Sequence, residues 1–519
     1  MALNAFGTSY LESILSLVGL SLMVLVAYLF ISSRRAGLSH IPGPFLARYT
    51  NIWSLYTTWL TSQNYNRVSF HNKLRSQYGD VVRTGPNSVT VFDPAAVTQI
   101  YGVRSKLDKG LAYLPFRRSN EKTSLLSILD EKTHSQYRRL VSNAYSLSSL
   151  KGYEPYVDEM VNRLVEVFDG HAADHTPLNI SLWCHYYCFD VVSKITMGEA
   201  IGCLSGQDTL GLIDMVKDFR AYAGVVSQMP WLHQLLRGNP LRPRGKPTPF
   251  IRLVSKLVED RLATPDPEGQ RPDLLSHFVA THATYPERMT KAHVALSTAG
   301  NMVAGGLSPA NTLDELCRYL VNHPNSQERL FNELREAQCA MPAKFDEVKN
   351  LPYLEGVVRE AYRMHQSTST NLQRVAGPSG LTLPNGCHLP AGTCVGCPAG
   401  AINQDMRAFG ADAHVYNPER WMQGKMETTE SWESRRKLMD KTELSFGQGS
   451  RSCIGKSVAS LEIFKVVATL VGQFKASQAV PPQPNPRLPC FLQFELVGEA
   501  RHHEVFVKVH RREKFLMDI

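Results

Sequence analysis

The chain has 519 residues, 43% of them hydrophobic and 20% charged, an ordinary globular balance in a length that allows two or three domains. The net charge of +9 is moderate and no Lys/Arg-rich block stands out, so nothing points to nucleic acid as a partner. Ten cysteines follow no framework spacing, which argues against a disulfide-rich secreted fold.

Ser13 to Ile31 reads SILSLVGLSLMVLVAYLFI, a run without a charged residue. A membrane-spanning helix needs about 20 mainly apolar residues, so this run nearly suffices. Arg34 and Arg35 follow it, whereas the residues before it include Glu12 and no Lys or Arg. The basic flank is expected to stay cytoplasmic, which makes 1–12 lumenal, 13–33 a transmembrane anchor and the body cytosolic. A cleaved signal peptide fits less well, because there is no basic n-region and the apolar run is long. Ile41-Pro42-Gly43-Pro44 then makes a stiff, non-helical joint, so 34–50 reads as a basic, proline-rich linker and 51–519 as the body.

Much of 60–370 reads as helix, with no internal repeat or low-complexity tract. Val81–Arg83 and Val89–Phe92 read as strands joined by the turn Gly85-Pro86-Asn87. One long helix is expected from about Thr290 to Val321, with Ala304-Gly305-Gly306-Leu307-Ser308-Pro309 in its middle. Pro309 has no N–H, so the carbonyl of Gly305 loses its helical partner and becomes an acceptor for water or a substrate hydroxyl. The helix in LPYLEGVVREAYRMH sets Glu360 and Arg363 on one face, three residues apart. Glu433 and Arg436 repeat that spacing, so the spacing alone does not choose between them. Leu381–Leu383 and Cys387–Leu389 flank Pro384-Asn385-Gly386, a strong hairpin cue. Cys394 and Cys397 form a C-x-x-C, but no second pair or suitably spaced histidine completes a zinc site. The body is therefore expected to be mainly α with small β-sheets.

Near the C-terminus stands Phe446-Gly447-Gln448-Gly449-Ser450-Arg451-Ser452-Cys453-Ile454-Gly455. Each fixed position has a use if Cys453 is a thiolate on haem iron. Gly447 and Gly449 permit a tight turn and close approach to a flat macrocycle. Arg451 offers a donor fork for a carboxylate such as a haem propionate. Val458, Leu461, Phe464, Val467 and Val471 repeat at helical spacing, so Cys453 sits before a helix whose dipole favours thiolate over thiol. Gly455 leaves room for the ring, and a thiolate ligand promotes O–O cleavage.

This frame is the haem-binding signature of the cytochrome P-450 family, which the chain resembles over essentially its whole length after the anchor. The resemblance implies the cytochrome P-450 fold around one haem b, with Cys453 as axial ligand and with Phe446, Gly449 and Gly455 against the cofactor. Pro418-Glu419-Arg420-Trp421 resembles the family's P-E-R-F segment with Trp421 in place of Phe. Glu360, Arg363 and Arg420 are then a buried charge triad that holds the loop before Cys453. His134 and Arg138 in HSQYRRLVSNAYS match a W-x-x-x-R pair that meets the propionates, with Arg139 as the competing register and Arg374 as a third contact. In the long helix, Ala304 and Gly305 match the family pattern, whereas Leu307 stands where an acid is expected and Ser308 where threonine is expected. Gly305 would let the helix pass close to haem, and Ser308 would supply the hydroxyl that helps hold dioxygen and arrange proton delivery.

The reaction implied is insertion of one oxygen atom into a lipophilic small molecule, with electrons from NADPH through a reductase flavoprotein and cytochrome b5 as a candidate second donor. Arg435, Arg436, Lys437, Lys441 and Lys456 are a basic set able to face such an acidic partner. The local wording resembles fungal microsomal members, which implies secondary-metabolite tailoring at the endoplasmic reticulum membrane, single-pass, with the catalytic body in the cytosol. The absent acid at Leu307 leaves a haem-thiolate isomerase, dehydratase or coupling enzyme as the rival. Leu111–Ser127, the region around Val225–Leu241, Ser367–Leu372 and Pro489–Leu496 are the expected pocket segments.

Overall fold

Helices form where a capping side chain precedes apolar residues at helical spacing. A computed structural model describes residues 2–35, 37–64, 67–117, 123–236, 247–264, 271–366, 371–479 and 504–512. The helices used below are α1 (Ala2–Arg35), α2 (Ile52–Asn64), α3 (Arg67–Tyr78), α4 (Glu131–Val141), α5 (Ile180–Met197), α6 (Lys291–Asn322), α7 (Pro352–Met364) and α8 (Lys456–Gln473). Asp130 caps α4 by accepting from the N–H of Thr133. Thr290 and His293 form a reciprocal capping box at the start of α6. Helix α6 then runs unbroken through Pro309, close to the expected bounds.

Ten strands are described: β1 (Val81–Gly85), β2 (Ser88–Val91), β3 (Asp108–Lys109), β4 (Leu178–Asn179), β5 (Arg374–Val375), β6 (Leu381–Thr382), β7 (His388–Leu389), β8 (Cys394–Gly396), β9 (Phe474–Gln478) and β10 (Phe506–Arg511). They form a five-stranded sheet in the order β1-β2-β8-β5-β3, a three-stranded sheet β4-β10-β9, and the two-stranded β6-β7. Val81 pairs with Val91 and Leu381 with Leu389, so both expected hairpins are present. Gly386 sits in the left-handed region at φ 81°, as the Asn-Gly turn requires.

One large apolar core joins α4 to α8, and a smaller one lies under the five-stranded sheet. The closest helix approach is α5 against α6, and it explains the paired glycines. A Cβ on Gly305 would lie 2.5 Å from Val192, and one on Gly306 would overlap the Phe189 ring. Beyond the role expected for Gly305, its missing side chain serves the packing of α6 on α5, and its backbone borders the site. Leu307 is fully buried in the main core.

The segment 34–50, expected to be a linker, is packed onto the body. Leu38, Ile41 and Ala47 are buried. The N–H of Arg83 donates to the carbonyl of Pro42, and Gly43 lies so close to the Arg83 carbonyl that a Cβ has no room. Arg83, 1% exposed, donates to the carbonyls of Ser33 (2.9 Å), Pro86 (2.7 Å) and Arg48 (3.4 Å). It therefore ties the last turn of α1 to the first hairpin, and satisfies one of the carbonyls left open at a helix C-terminus. The described side chains of α1 from Leu15 to Tyr28 are exposed. Among the described residues no helix is long and apolar enough to cross a membrane. The apolar run starts at Ser13, and the side chains of 2–14, 32 and 35 lie outside the described residues.

Gly306→Ala should cost about 1–3 kcal/mol by overpacking against Phe189. Gly170→Ala, at a helical position with open space around it, should be neutral or stabilising by up to about 1 kcal/mol. Urea unfolding followed by circular dichroism compares the two; equal midpoints would remove the close approach as the reason for Gly306.

Candidate active site

Cys453 lies in a short loop held before α8. Its N–H donates to the carbonyl of Phe446 at 2.7 Å, and Gly447 and Gly449 adopt φ of 64° and 67°. Gly449 is needed for a second reason: a Cβ there would run into the backbone of Tyr101 and Gly102. The constraint on Gly449 is therefore contact with the chain itself. A Cβ on Gly455 would sit 4.0 Å from the Cys453 sulfur, an ordinary contact distance. The sulfur is exposed to an internal cavity. Burial pushes the Cys453 thiol up, against the pull of the Gly455 N–H, Arg138 and Lys456. The dipole argument from the sequence thus meets an opposing and larger desolvation.

The loop is braced from α7. The Glu360 carboxylate accepts from Arg363 Nε at 2.8 Å and Nη2 at 2.7 Å, and from Arg420 Nε at 3.4 Å. It also accepts from the N–H of Asn417 and from Trp421 Nε1, both at 2.9 Å. The indole that replaces the family's Phe thus adds a donor that was not read from the sequence. Arg363 Nη1 donates to the carbonyl of Asn403 at 2.8 Å. The Asn403 side chain accepts from the N–H of Leu444 at 2.8 Å and donates to Ser445 Oγ at 3.0 Å. The cluster is therefore wired into the segment leading to Phe446, whose ring meets Tyr362 edge-on at 4.7 Å. The competing pair is different: Glu433 and Arg436 are exposed, with Glu433 near Lys437 and Arg436 near Glu355.

The cavity beside Cys453 has a volume of about 1370 Å³, beyond the roughly 300–1,000 Å³ of a site for one small molecule. Ala304, Gly305, Ser308 and Thr312 of α6 border it, as do His134, Arg138, Arg374 and Arg451. Arg138 Nη1 donates to the carbonyl of Ser452 at 2.6 Å, whereas Arg139 reaches only Ser135 in its own helix, so the register is that of Arg138. Arg374 donates to the carbonyls of Leu372 and Gln373. Arg451 is paired with Glu131 at 2.7 Å and also meets the carbonyls of Ile128 and Leu129. Its fork is thus partly engaged by protein, a difference from the expected direct use on a propionate.

Lys109 of β3 belongs to the same cluster, and sequence reading missed it, because a two-residue strand carries no periodic signal. It is buried, and its Nζ donates to the carbonyls of Leu125 and Leu126. Burial, with Arg451 and Arg374 nearby, holds this amine well below the usual range. Burial and the surrounding cations pull His134 down to about 3, so the imidazole is neutral, and its buried Nδ1 has no hydrogen-bond partner. Four cations and an orphaned ring nitrogen thus converge where Glu131 and Asp108 are the near acids. That surplus fits a group carrying two carboxylates, as haem does through its propionates. Glu462 was also missed. It is buried beside Cys188 and is the one acid among the described residues lining the cavity; burial pushes its carboxyl well above the usual range.

Of the expected pocket segments, Leu111–Tyr113, Phe116, Ser124–Leu126 and Ser227–Trp231 border the cavity. Residues 367–370 and 489–496 lie outside the described residues, while Asn371 and Leu372 line it. In the C-x-x-C, Cys397 is buried and its N–H donates to the Tyr101 hydroxyl at 2.6 Å, while the N–H of Cys394 donates to the carbonyl of Asn87.

A helical body whose cysteine loop opens into a cavity under a long helix, rimmed by cations, has the make-up of a haem-thiolate protein. The sequence matches the family described as Cytochrome P450 over residues 48–511. It is 33% identical over 479 residues to cytochrome P450 monooxygenase cicH of Emericella nidulans, covering 90% of this chain and 93% of that one. It is 32% identical over 506 residues to a cytochrome P450 monooxygenase of Aspergillus terreus, covering 93% and 98%. The chain belongs to the cytochrome P450 family, and is an oxygen-incorporating oxidoreductase with a haem-thiolate cofactor.

Glu360→Ala should leave two buried guanidinium groups without their carboxylate and cost about 3–5 kcal/mol. Trp421→Phe removes a single donor to a charged acceptor and should cost about 1.5–3 kcal/mol. Haem content and unfolding midpoints of the purified variants order the two; a Trp421→Phe protein as stable as wild type would make the indole bond dispensable.

Proposed function

We propose that the chain inserts one oxygen atom of dioxygen into a lipophilic small molecule, in hydroxylation, epoxidation or a related oxidation. The observation that carries this reading is the single cavity that joins Cys453 to Ser308 of α6, with the cation cluster on its rim. Haem bound there through a Cys453 thiolate would supply the reductive activation of dioxygen. Arg138, Arg374, Arg451, Lys109 and His134 would hold its propionates, and Phe446, Gly449 and Gly455 would shape the loop beneath it. Ser308 would orient water and the proton it carries, together with the Gly305 carbonyl left open by Pro309.

Residues 13–33 are proposed as the single anchor, with residues 1–12 lumenal and the body on the cytosolic face of the endoplasmic reticulum. Exposure of α1 from Leu15 to Tyr28 supports this, as does the basic pair after the run. Electrons are proposed to come from NADPH through a reductase flavoprotein, with cytochrome b5 as a second donor. Of the basic set, Arg435 is bound to Glu427 and to the carbonyls of Arg420 and Met422, so it is a structural group. Lys441 and Lys456 are exposed and remain suited to an acidic partner. The fungal relatives support a role in secondary-metabolite biosynthesis.

One observation favours the rival isomerase, dehydratase or coupling chemistry. Leu307 faces the core, so the position where relatives of the family carry an acid supplies no proton here.

Cys453→Ala should abolish the red-shifted Soret band of the ferrous carbon-monoxide complex; an unchanged band would remove Cys453 as the ligand. Ser308→Ala should divert reductant into hydrogen peroxide, while Ser308→Thr keeps product formed per reductant near wild type. Equal coupling in wild type and Ser308→Ala would make Ser308 structural and favour the rival. Deleting residues 2–31 should release much of the protein from membranes with haem retained; full retention in the pellet would show that other surfaces anchor it.

A further inference from the structure

The cavity does not end at the cation cluster. It continues to α2 and α3, and opens beside Leu25, Tyr28 and Leu29 of α1. At that end stand Arg67 and His71 of α3, 8% and 9% exposed, with Thr58 and Thr61 of α2 equally buried. All four line the cavity.

Arg67 is a buried cation without an anion. Among the described residues it makes no ion pair. Its Nη2 has one long contact, 3.5 Å to the carbonyl of Thr58, and its buried Nε has no partner. His71 Nδ1 is likewise buried and unpartnered. Burial lowers Arg67 to about 10, still charged at neutral pH, and no carboxylate offsets it. Burial, then Arg67, takes His71 to about 3, so it is a neutral hydrogen-bonding group. Buried charges are as a rule paired, and an isolated one is costly. Glu462, the sole acid among the described lining residues, lies on α8 beside Cys188, with its carboxyl pushed up by burial. Phe70 and Leu74 of α3 and Leu25, Tyr28 and Leu29 of α1 line the same cavity, as do the uncharged Thr57, Thr58 and Thr61. A guanidinium in that setting suits an anionic oxygen pair on an apolar body.

We propose that Arg67 and His71 form a carboxylate subsite, and that the substrate is a lipophilic acid whose carboxylate docks there. This rests on the reading of the cavity as the substrate site. The carboxylate would accept from Arg67 and, in the appropriate tautomer, from His71. The apolar remainder would extend along the cavity toward Cys453.

The test uses the full-length, haem-loaded enzyme in phosphatidylcholine nanodiscs at neutral pH. Labelled dodecanoate and dodecanol serve as probes, read by equilibrium dialysis against empty discs. Wild type should bind dodecanoate about tenfold or more tightly than dodecanol, the worth of one charge-assisted contact. Arg67→Gln should lose that preference with dodecanol binding unchanged, and Arg67→Lys should keep part of it. Equal affinities for the two probes in wild type would overturn the proposal, as would unaltered dodecanoate binding in Arg67→Gln. The wild-type comparison decides even if Arg67→Gln fails to fold. A phosphatidylserine-containing disc separates the other source of anionic oxygens. Loss of dodecanoate binding confined to wild type, and absent from Arg67→Gln, would assign the site to a lipid headgroup and overturn the substrate reading. An equal change in both proteins supports it. The carbon-monoxide band recorded on the same samples reports the haem-thiolate reading separately.

Discussion

The carboxylate of Glu360 is the constraint on which the cysteine loop depends. It is fully buried and accepts from two arginines, an indole and a backbone N–H. A carboxylate removed from water in this way is tolerable only because its donors are already in place. The arginines in turn spend their remaining donors on carbonyls of separate segments, those of Asn403 and Ala413 for Arg363, and of Phe409 and Asp412 for Arg420. One charge therefore sets the path of the chain over residues 403–420, and Asn403 passes that order to Leu444 and Ser445.

The cavity is the converse case. Around Cys453 and again at Arg67 the protein presents positive charge with too few acids to balance it. Such surplus is unfavourable in isolation. Its persistence in two places makes the cavity a receptor for anions at both ends, with an apolar stretch between. Glu462 fits this scheme, since burial pushes its carboxyl up and so disfavours a negative charge in the cavity wall.

The cysteine loop, the two hairpins, α6 and the Glu360–Arg363 spacing were all legible in the sequence, because each is written in local terms: turn residues, caps and apolar periodicity. The partner of Glu360 among distant residues was legible only by resemblance, and Trp421 as a donor was not legible at all. Lys109, Asn403 and Arg67 escaped for one reason. Each sits in a segment too short or too polar to carry a pattern. The glycines of α6 were legible as special, but their packing on α5 was not, since a sequence shows that a side chain is missing but not which neighbour fills the space. Phe189 and Val192 lie more than a hundred residues away.

Arg83 carries a consequence for how the molecule sits. A single guanidinium grips the end of α1 and the first hairpin together, and the proline joint is seated on the same strand. The helix is thus less a tether than a rigid handle. Any tilt imposed on α1 by its surroundings is handed to the five-stranded sheet, and through β8 and β5 to Arg374 at the rim of the cavity. The direction of α1 is thereby tied to the end of the cavity that Leu25 and Leu29 line.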